Sequence, residues 1–160
     1  MSTLYIFSAQ YLYLLEIILF ILYFISLSND KKKSLLLFSL VYFPFVFVVS
    51  KVFALLYFDP RPFVVGHFIP LISHVADNGF PSDHILLTGA IASVLLVYNK
   101  KFGIVAWIIT VLVGISRVFA GVHHWIDIVG SMVIVIIVSQ VYSFFLDMIP
   151  KKRHKNVISE

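Results

Sequence analysis

No cysteine occurs among the 160 residues, which excludes disulfides and thiolate chemistry and removes the usual clue to redox compartment. Charge is scarce as well. Asp, Glu, Lys and Arg make up 12% of the chain against 61% hydrophobic residues, whereas a soluble domain carries about a quarter charged residues and under half apolar ones. A soluble chain of this length could not hide so much apolar surface, so the solvent implied is a bilayer. Internal repeats, low-complexity linkers and any composition break that would mark a second domain are also missing. The first apolar stretch lacks a basic leader and a small-residue cleavage site, so it reads as a retained span and not as a signal peptide.

What is present is a series of five apolar stretches, near residues 4–27, 34–58, 84–98, 102–120 and 125–149. Crossing a hydrocarbon core of about 30 Å takes roughly 20 helical residues. The third stretch is short, and Glu16 interrupts the first. The expected fold is all-α, a polytopic transmembrane bundle of about five spans. It forms one domain over residues 1–150, followed by a basic tail at 151–160. The abundant aromatics, sixteen Phe and eight Tyr, read as lipid-facing packing and interfacial belts.

The basic residues predict an orientation. Lys31, Lys32 and Lys33 lie between the first two spans, Lys100 and Lys101 between the third and fourth, and Lys151, Lys152, Arg153 and Lys155 after the fifth. These sites alternate consistently for one topology, with the N-terminus outside and the C-terminus inside. They account for nine of the twelve Lys and Arg. The other three, Lys51, Arg61 and Arg117, fall at or near the outer face, where the same bias disfavours them.

That face also carries Ser82, Asp83, His84, His123, His124 and Asp127. Two arginines, a lysine and several histidines suit a phosphate, because the guanidinium fork bonds phosphate oxygens in pairs and lysine adds a point charge. Pro81-Ser82-Asp83-His84 opens a span, so free backbone N–H groups and the helix dipole favour an anion there. The Ser82 hydroxyl would serve either the helix cap or the phosphate. His123 and Asp127 are four apart, so a helix opening here would place them on one face. A carboxylate on one imidazole nitrogen leaves the other as a nucleophile, while His84, from another segment, would protonate the departing oxygen.

These residues resemble the type 2 phosphatidic acid phosphatase superfamily. Its third signature, S-R, five residues, H, three residues, D, is matched by Ser116, Arg117, His123 and Asp127. Its second, P-S-G-H, appears as Pro81-Ser82-Asp83-His84, with aspartate for glycine. Its first, lysine, six residues, then R-P, is partly present: Arg61-Pro62 is there, but nine residues separate it from Lys51 and Ala54 stands at the lysine position. Pro60-Arg61-Pro62-Phe63 through Asp77-Asn78-Gly79-Phe80-Pro81-Ser82-Asp83-His84 looks like the bacterial undecaprenyl-diphosphate phosphatases of that superfamily. The family core commonly has six spans, so five here implies one N-terminal span fewer.

The resemblance implies a metal-independent mechanism without cofactor. His123 would attack phosphorus to give a phosphohistidine, Asp127 would orient it and His84 would protonate the leaving group. Arg61, Arg117, Ser82, Asp83 and Lys51 would line the substrate site. The expected substrate is undecaprenyl diphosphate at the outer face of a bacterial cytoplasmic membrane, in recycling of a cell-wall lipid carrier. Phosphatidate or phosphatidylglycerol phosphate is the alternative. No nucleic-acid partner is expected.

Blander readings stand beside these. His67, His74 and His154 read as interfacial anchors, Lys51 as a snorkelling end of span two, and Glu16 as lining a crevice or bonding within the bundle. Zinc held by His84, His123, His124 and Asp127, joined by His74 and Asp77, is the chemical rival, disfavoured because three nearby basic residues repel a cation. A non-catalytic lipid-phosphate binder would need the arginines but not the His123–Asp127 pair.

Overall fold

A computed structural model describes residues 2–148. Its elements are α1 (Ser2–Ser26), α2 (Asn29–Leu56), α3 (Pro62–Val65), α4 (Asp83–Tyr98), α5 (Lys100–Phe119) and α6 (Trp125–Met148). No β-strand occurs among the described residues. Lipid offers no hydrogen bonds to the backbone, so a chain this apolar must satisfy its peptide groups within each segment, and the helix does so. Four of the helices are long and apolar enough to cross a membrane, and the 16-residue α4 is a shorter apolar helix. The bundle is the all-α architecture that the composition predicts.

Helix α4 sits at the centre, packed chiefly on α5 and α6 and flanked by α1 and α2. Nearly all its residues from Ile85 to Leu95 are buried. The outer helices α1 and α2 instead turn large apolar side chains outward, Leu40, Leu55 and Leu56 among them. In water that surface would drive aggregation, whereas in a bilayer it faces hydrocarbon at no cost.

The helix ends differ from the apolar runs. Lys31, Lys32 and Lys33 belong to the first turns of α2, and Lys100 and Lys101 open α5. At α5 the boundary follows capping and not hydropathy: the Asn99 side chain accepts from the backbone N–H of Lys101 and Phe102 and starts the helix there. The basic tail at 151–160, including Lys151, Lys152, Arg153, His154 and Lys155, lies outside the described residues.

Both lysine clusters lie at one end of the bundle. There Tyr23 Oη donates to the Tyr98 carbonyl at 3.2 Å, and Ser34 Oγ meets Tyr98 Oη at 2.9 Å, tying α1, α2 and α4 together. The other end carries the 57–82 loop and the 120–124 turn, joined by Leu71 N–H donating to the Ala120 carbonyl. Gly121 makes that turn with φ +78°, a conformation L residues rarely adopt. Glu16 is fully buried inside the bundle, one oxygen receiving Thr110 Oγ1 at 3.4 Å. It lines no open crevice.

Candidate active site

Three segments far apart in the chain meet at His123. The loop brings Arg61, the start of α4 brings Ser82, and the end of α5 brings Arg117. Arg61 Nη1 lies 3.3 Å from His123 Nε2, Ser82 Oγ 3.3 Å and Arg117 Nη2 3.5 Å. Each of the three neighbours is a hydrogen-bond donor, so Nε2 is the accepting, unprotonated nitrogen. Nδ1 then carries the proton and donates it to Asp127 Oδ2 at 3.1 Å. His123, Asp127, Arg61, Arg117 and Ser82 are all buried.

Local structure accounts for each placement. Ser82 is the residue before α4, yet its hydroxyl makes no cap bond and points to His123, which decides between cap and site. Its backbone N–H is taken by Ser131 Oγ at 2.8 Å, and Ser131 Oγ in turn donates to the Asp127 carbonyl. Arg61 is held on three sides: Nε donates to Asp77 Oδ1 at 2.7 Å, Nη1 to the Val122 carbonyl at 2.8 Å, and Nη2 to the Asn78 carbonyl at 3.4 Å. Arg117 Nη1 donates to the Ala9 carbonyl of α1, and its buried Nε has no partner among the described residues. A buried guanidinium N–H left open in this way invites an anionic acceptor.

His84 is half-buried at the first turn of α4, its ring edge-on to Tyr13 of α1 with centroids 5.1 Å apart. It makes no side-chain hydrogen bond among the described residues and lies within electrostatic reach of Arg117 and His123. Lys51 and Asp83 are not brought to the cluster. Lys51 is exposed, with its ammonium 5.0 Å from the centre of the Phe47 ring, and both residues line a groove of about 380 Å³ between α2 and α4. Phe43, Val46, Leu86 and Ala90 make most of the groove apolar.

Several neighbours hold places that the sequence did not reveal, although His74 and Asp77 stood in the zinc alternative. His74, read as an anchor, stands edge-on to His123 with ring centroids 6.1 Å apart. Asp77 holds Arg61, and Asn78 pins the loop through Asp59 N–H, Phe80 N–H and the carbonyls of Ala54 and Tyr57. Ala54, at the family's lysine position, thus meets the loop through its carbonyl. Gly79 leaves room for the whole arrangement: a Cβ there would lie 2.9 Å from Asp127 Oδ2 and 3.1 Å from the Asp59 carbonyl oxygen. The Asn78-Gly79 pair was the available signal, since it marks a tight turn.

Electrostatics follow from burial and the two guanidinium groups. Burial, reinforced by Arg117 and Arg61, pushes the His123 imidazole down to about 3. His74 is lowered for the same reasons, burial first and Arg61 next. At Asp77 partial burial pushes upward, but the bond and charge of Arg61 outweigh it and hold the carboxyl below its usual range. A further cluster, Asp59, His124 and Asp127, offers one ligand atom each within 4.8 Å of one another, a spacing that a cation would also accept.

The His123 shift has a consequence for stability. The unfolded imidazole takes up its proton near 6.5, and the native one resists it until about 3. The unfolded state therefore binds more protons in that window, and stability is lost as pH falls from about 6.5 towards 3, by at most about 1.4 kcal/mol per pH unit. Thermal unfolding in detergent should show wild type losing more stability on acidification than His123→Asn. Parallel curves would mean that the native imidazole titrates normally.

A family model described as the PAP2 superfamily matches residues 32–149. Undecaprenyl-diphosphatase BcrC of Bacillus subtilis (strain 168) is 39% identical over 102 residues, 64% of this chain and 53% of that protein. The putative undecaprenyl-diphosphatase YbjG of Escherichia coli (strain K12) is 33% identical over 73 residues, 45% of this chain and 37% of that one. The chain spans about half the length, or less, of these curated relatives. Among solved structures, a transmembrane PAP2 type phosphatidylglycerolphosphate phosphatase from Bacillus subtilis superposes with a TM-score of 0.64 at 27% identity, covering 95% of this chain and 78% of that one. LpxE of Aquifex aeolicus, at 24% identity and a TM-score of 0.58 over 89% and 83% of the two chains, shares the fold.

Proposed function

The chain belongs to the PAP2 superfamily, and on that premise we propose that it is a membrane lipid phosphatase that releases phosphate from undecaprenyl diphosphate through a phosphohistidine. The observation that carries this reading is the convergence of Arg61, Ser82 and Arg117 on the free nitrogen of His123, with Asp127 behind the other nitrogen. A phosphoryl group placed there meets donors for its oxygens and a nucleophile for its phosphorus. As the Nε2–P bond forms, the P–O bond to the lipid leaving group breaks and His84 supplies that oxygen with a proton. The positive charge that develops on the imidazole is held by Asp127. Water then attacks phosphorus, the N–P bond breaks, and His84 takes the water's proton. Positioning and charge carry most of the rest.

The groove between α2 and α4 supports a lipid substrate, because it is apolar and starts at Asp83, beside Ser82 and His84. Orientation rests on the two lysine clusters at the opposite end of the bundle. With those in the cytoplasm, the site opens at the outer face of a bacterial cytoplasmic membrane. Identity to the BcrC relative favours the isoprenoid diphosphate, and the structural neighbour named for phosphatidylglycerolphosphate favours a second reading, a glycerolipid phosphate.

The test is phosphate release by purified protein in detergent, with a chelator present, from undecaprenyl diphosphate, phosphatidylglycerol phosphate and phosphatidate. Undecaprenyl diphosphate is expected to give the highest kcat/KM, by about tenfold or more. A glycerolipid preference would refute the isoprenoid assignment, and no release from any of the three would refute the phosphatase.

A further inference from the structure

The carboxylate that orients His123 has a neighbour with no role in the steps above. Asp127 Oδ2 already receives two donors, His123 Nδ1 at 3.1 Å and the His124 backbone N–H at 2.9 Å. Its other oxygen, Oδ1, is buried and has no partner among the described residues, on a side chain with no exposed surface. Beside it stands Asp59, from the loop ahead of Arg61, with 14% of its side chain exposed. Asp59 Oδ2 meets His124 Nδ1 at 2.7 Å, and one side-chain atom from each of Asp59, His124 and Asp127 lies within 4.8 Å of the other two.

The approach is built in. Asp59 N–H donates to Asn78 Oδ1 and the Asp59 carbonyl receives Gly79 N–H at 2.8 Å. The missing Cβ of Gly79 then lets Asp127 Oδ2 and the Asp59 carbonyl share one space. Two ionised carboxylates at this range repel, and an ionised oxygen with no donor in a buried place is costly. A single proton removes both penalties. Carried by Asp59, it gives Asp127 Oδ1 its missing donor, while the remaining Asp59 oxygen accepts from His124.

We propose that Asp59 and His124 are positioning residues for His123, with a proton on Asp59 donated to Asp127 and His124 anchoring Asp59. The proposal rests on the phosphohistidine reading for its catalytic consequence, though not for the shared proton. The groups facing Asp59 are His124 and Asp127, with Arg61 and His123 beyond them. Burial pushes the Asp59 carboxyl above the usual carboxylate range and the Asp127 charge adds to it, while the His124 bond pulls the other way. Asp127 thereby presents one fixed oxygen to His123 and cannot swing to the other.

Asparagine at position 59 provides the decisive variant, because it keeps a donor for Asp127 and an acceptor for His124 without charge. Asp59→Asn should retain kcat within about threefold, whereas Asp59→Ala should lower kcat by about 10- to 100-fold with KM within about threefold. His124→Ala should fall between them. Infrared difference spectra of wild type against Asp59→Asn at pH 7 should contain the band of a protonated carboxyl, a readout that needs no turnover. Asn as damaging as Ala, or a spectrum without that band, would overturn the proposal. So would wild-type activity lost to a chelator and restored by a divalent metal, since a cation would then occupy the trio. A wild type that carries the band but releases no phosphate would sink the proposed function and leave the shared proton standing.

Discussion

Replacing His123 by alanine should lower kcat for phosphate release by about 10⁴-fold or more and leave lipid-phosphate binding within about tenfold. The asymmetry comes from the division of labour at the site. In the proposed mechanism Arg61, Arg117 and Ser82 would hold phosphoryl oxygens in both the bound and the reacting state, so most binding should survive without the imidazole. The nucleophile is used only as the N–P bond forms, and its loss falls on kcat. Acid-labile radiolabel from a phosphate-labelled substrate should be trapped on wild type and be absent from His123→Ala. Turnover in the variant above a tenth of wild type would sink the assignment of His123, and His124 would be next in line. The variant should fold, because Asp127 keeps its bond from the His124 backbone N–H.

Arg61→Lys should lower kcat/KM by about 100-fold, nearly as much as Arg61→Ala, although the charge is kept. The guanidinium spans three fixed partners in different directions, namely Asp77, the Val122 carbonyl and the Asn78 carbonyl, while Nη1 also reaches His123 Nε2. It joins the 57–82 loop to the 120–124 turn before any ligand arrives. A lysine ammonium concentrates its donors on one atom and can satisfy one of these directions at a time. The other partners would lose their donor, at a cost that is largest for the buried Val122 carbonyl, so the melting temperature should fall along with the activity. Steady-state kinetics and thermal unfolding of the two variants decide it. Retention of a third or more of wild-type activity in Arg61→Lys would mean that charge alone suffices.

The sequence was legible where chemistry is written in short spacings or in solvent preference. His123 and Asp127 are four residues apart, the histidine just ahead of α6 and the aspartate in its first turn, and Arg117 precedes His123 by six residues, so that part of the site could be assembled on paper. The five apolar helices, four of them long enough to cross a membrane, followed from apolar run length. Contacts that depend on how the 57–82 loop folds back were not legible. Asp59 meets His124 across 65 positions and Arg61 meets His123 across 62, pairings that depend on how the loop folds back, at Asn78–Gly79 among other places. Lys51 fell the other way: a basic residue near the outer end of α2 suggested a phosphate contact, but helical geometry turns it over Phe47, towards the groove. The helix start at Lys100 was hidden because the Asn99 cap, not hydropathy, sets it.

The brevity of α4 bears on which molecules the site can serve. Sixteen helical residues rise about 24 Å, some 6 Å short of an ordinary hydrocarbon slab. If α4 runs along the bilayer normal with the lysine end of the bundle at one interface, its N-terminus, and with it Ser82 and His84, lies below the opposite headgroup plane. A leaflet-resident phosphate needs only a shallow vertical displacement to arrive there, guided by its own anchored chain. A water-soluble phosphate monoester must instead descend into a low-polarity well without any anchor to offset its dehydration. Under the proposed function, depth itself would act as a sieve, selecting for lipids before any side chain reads the headgroup.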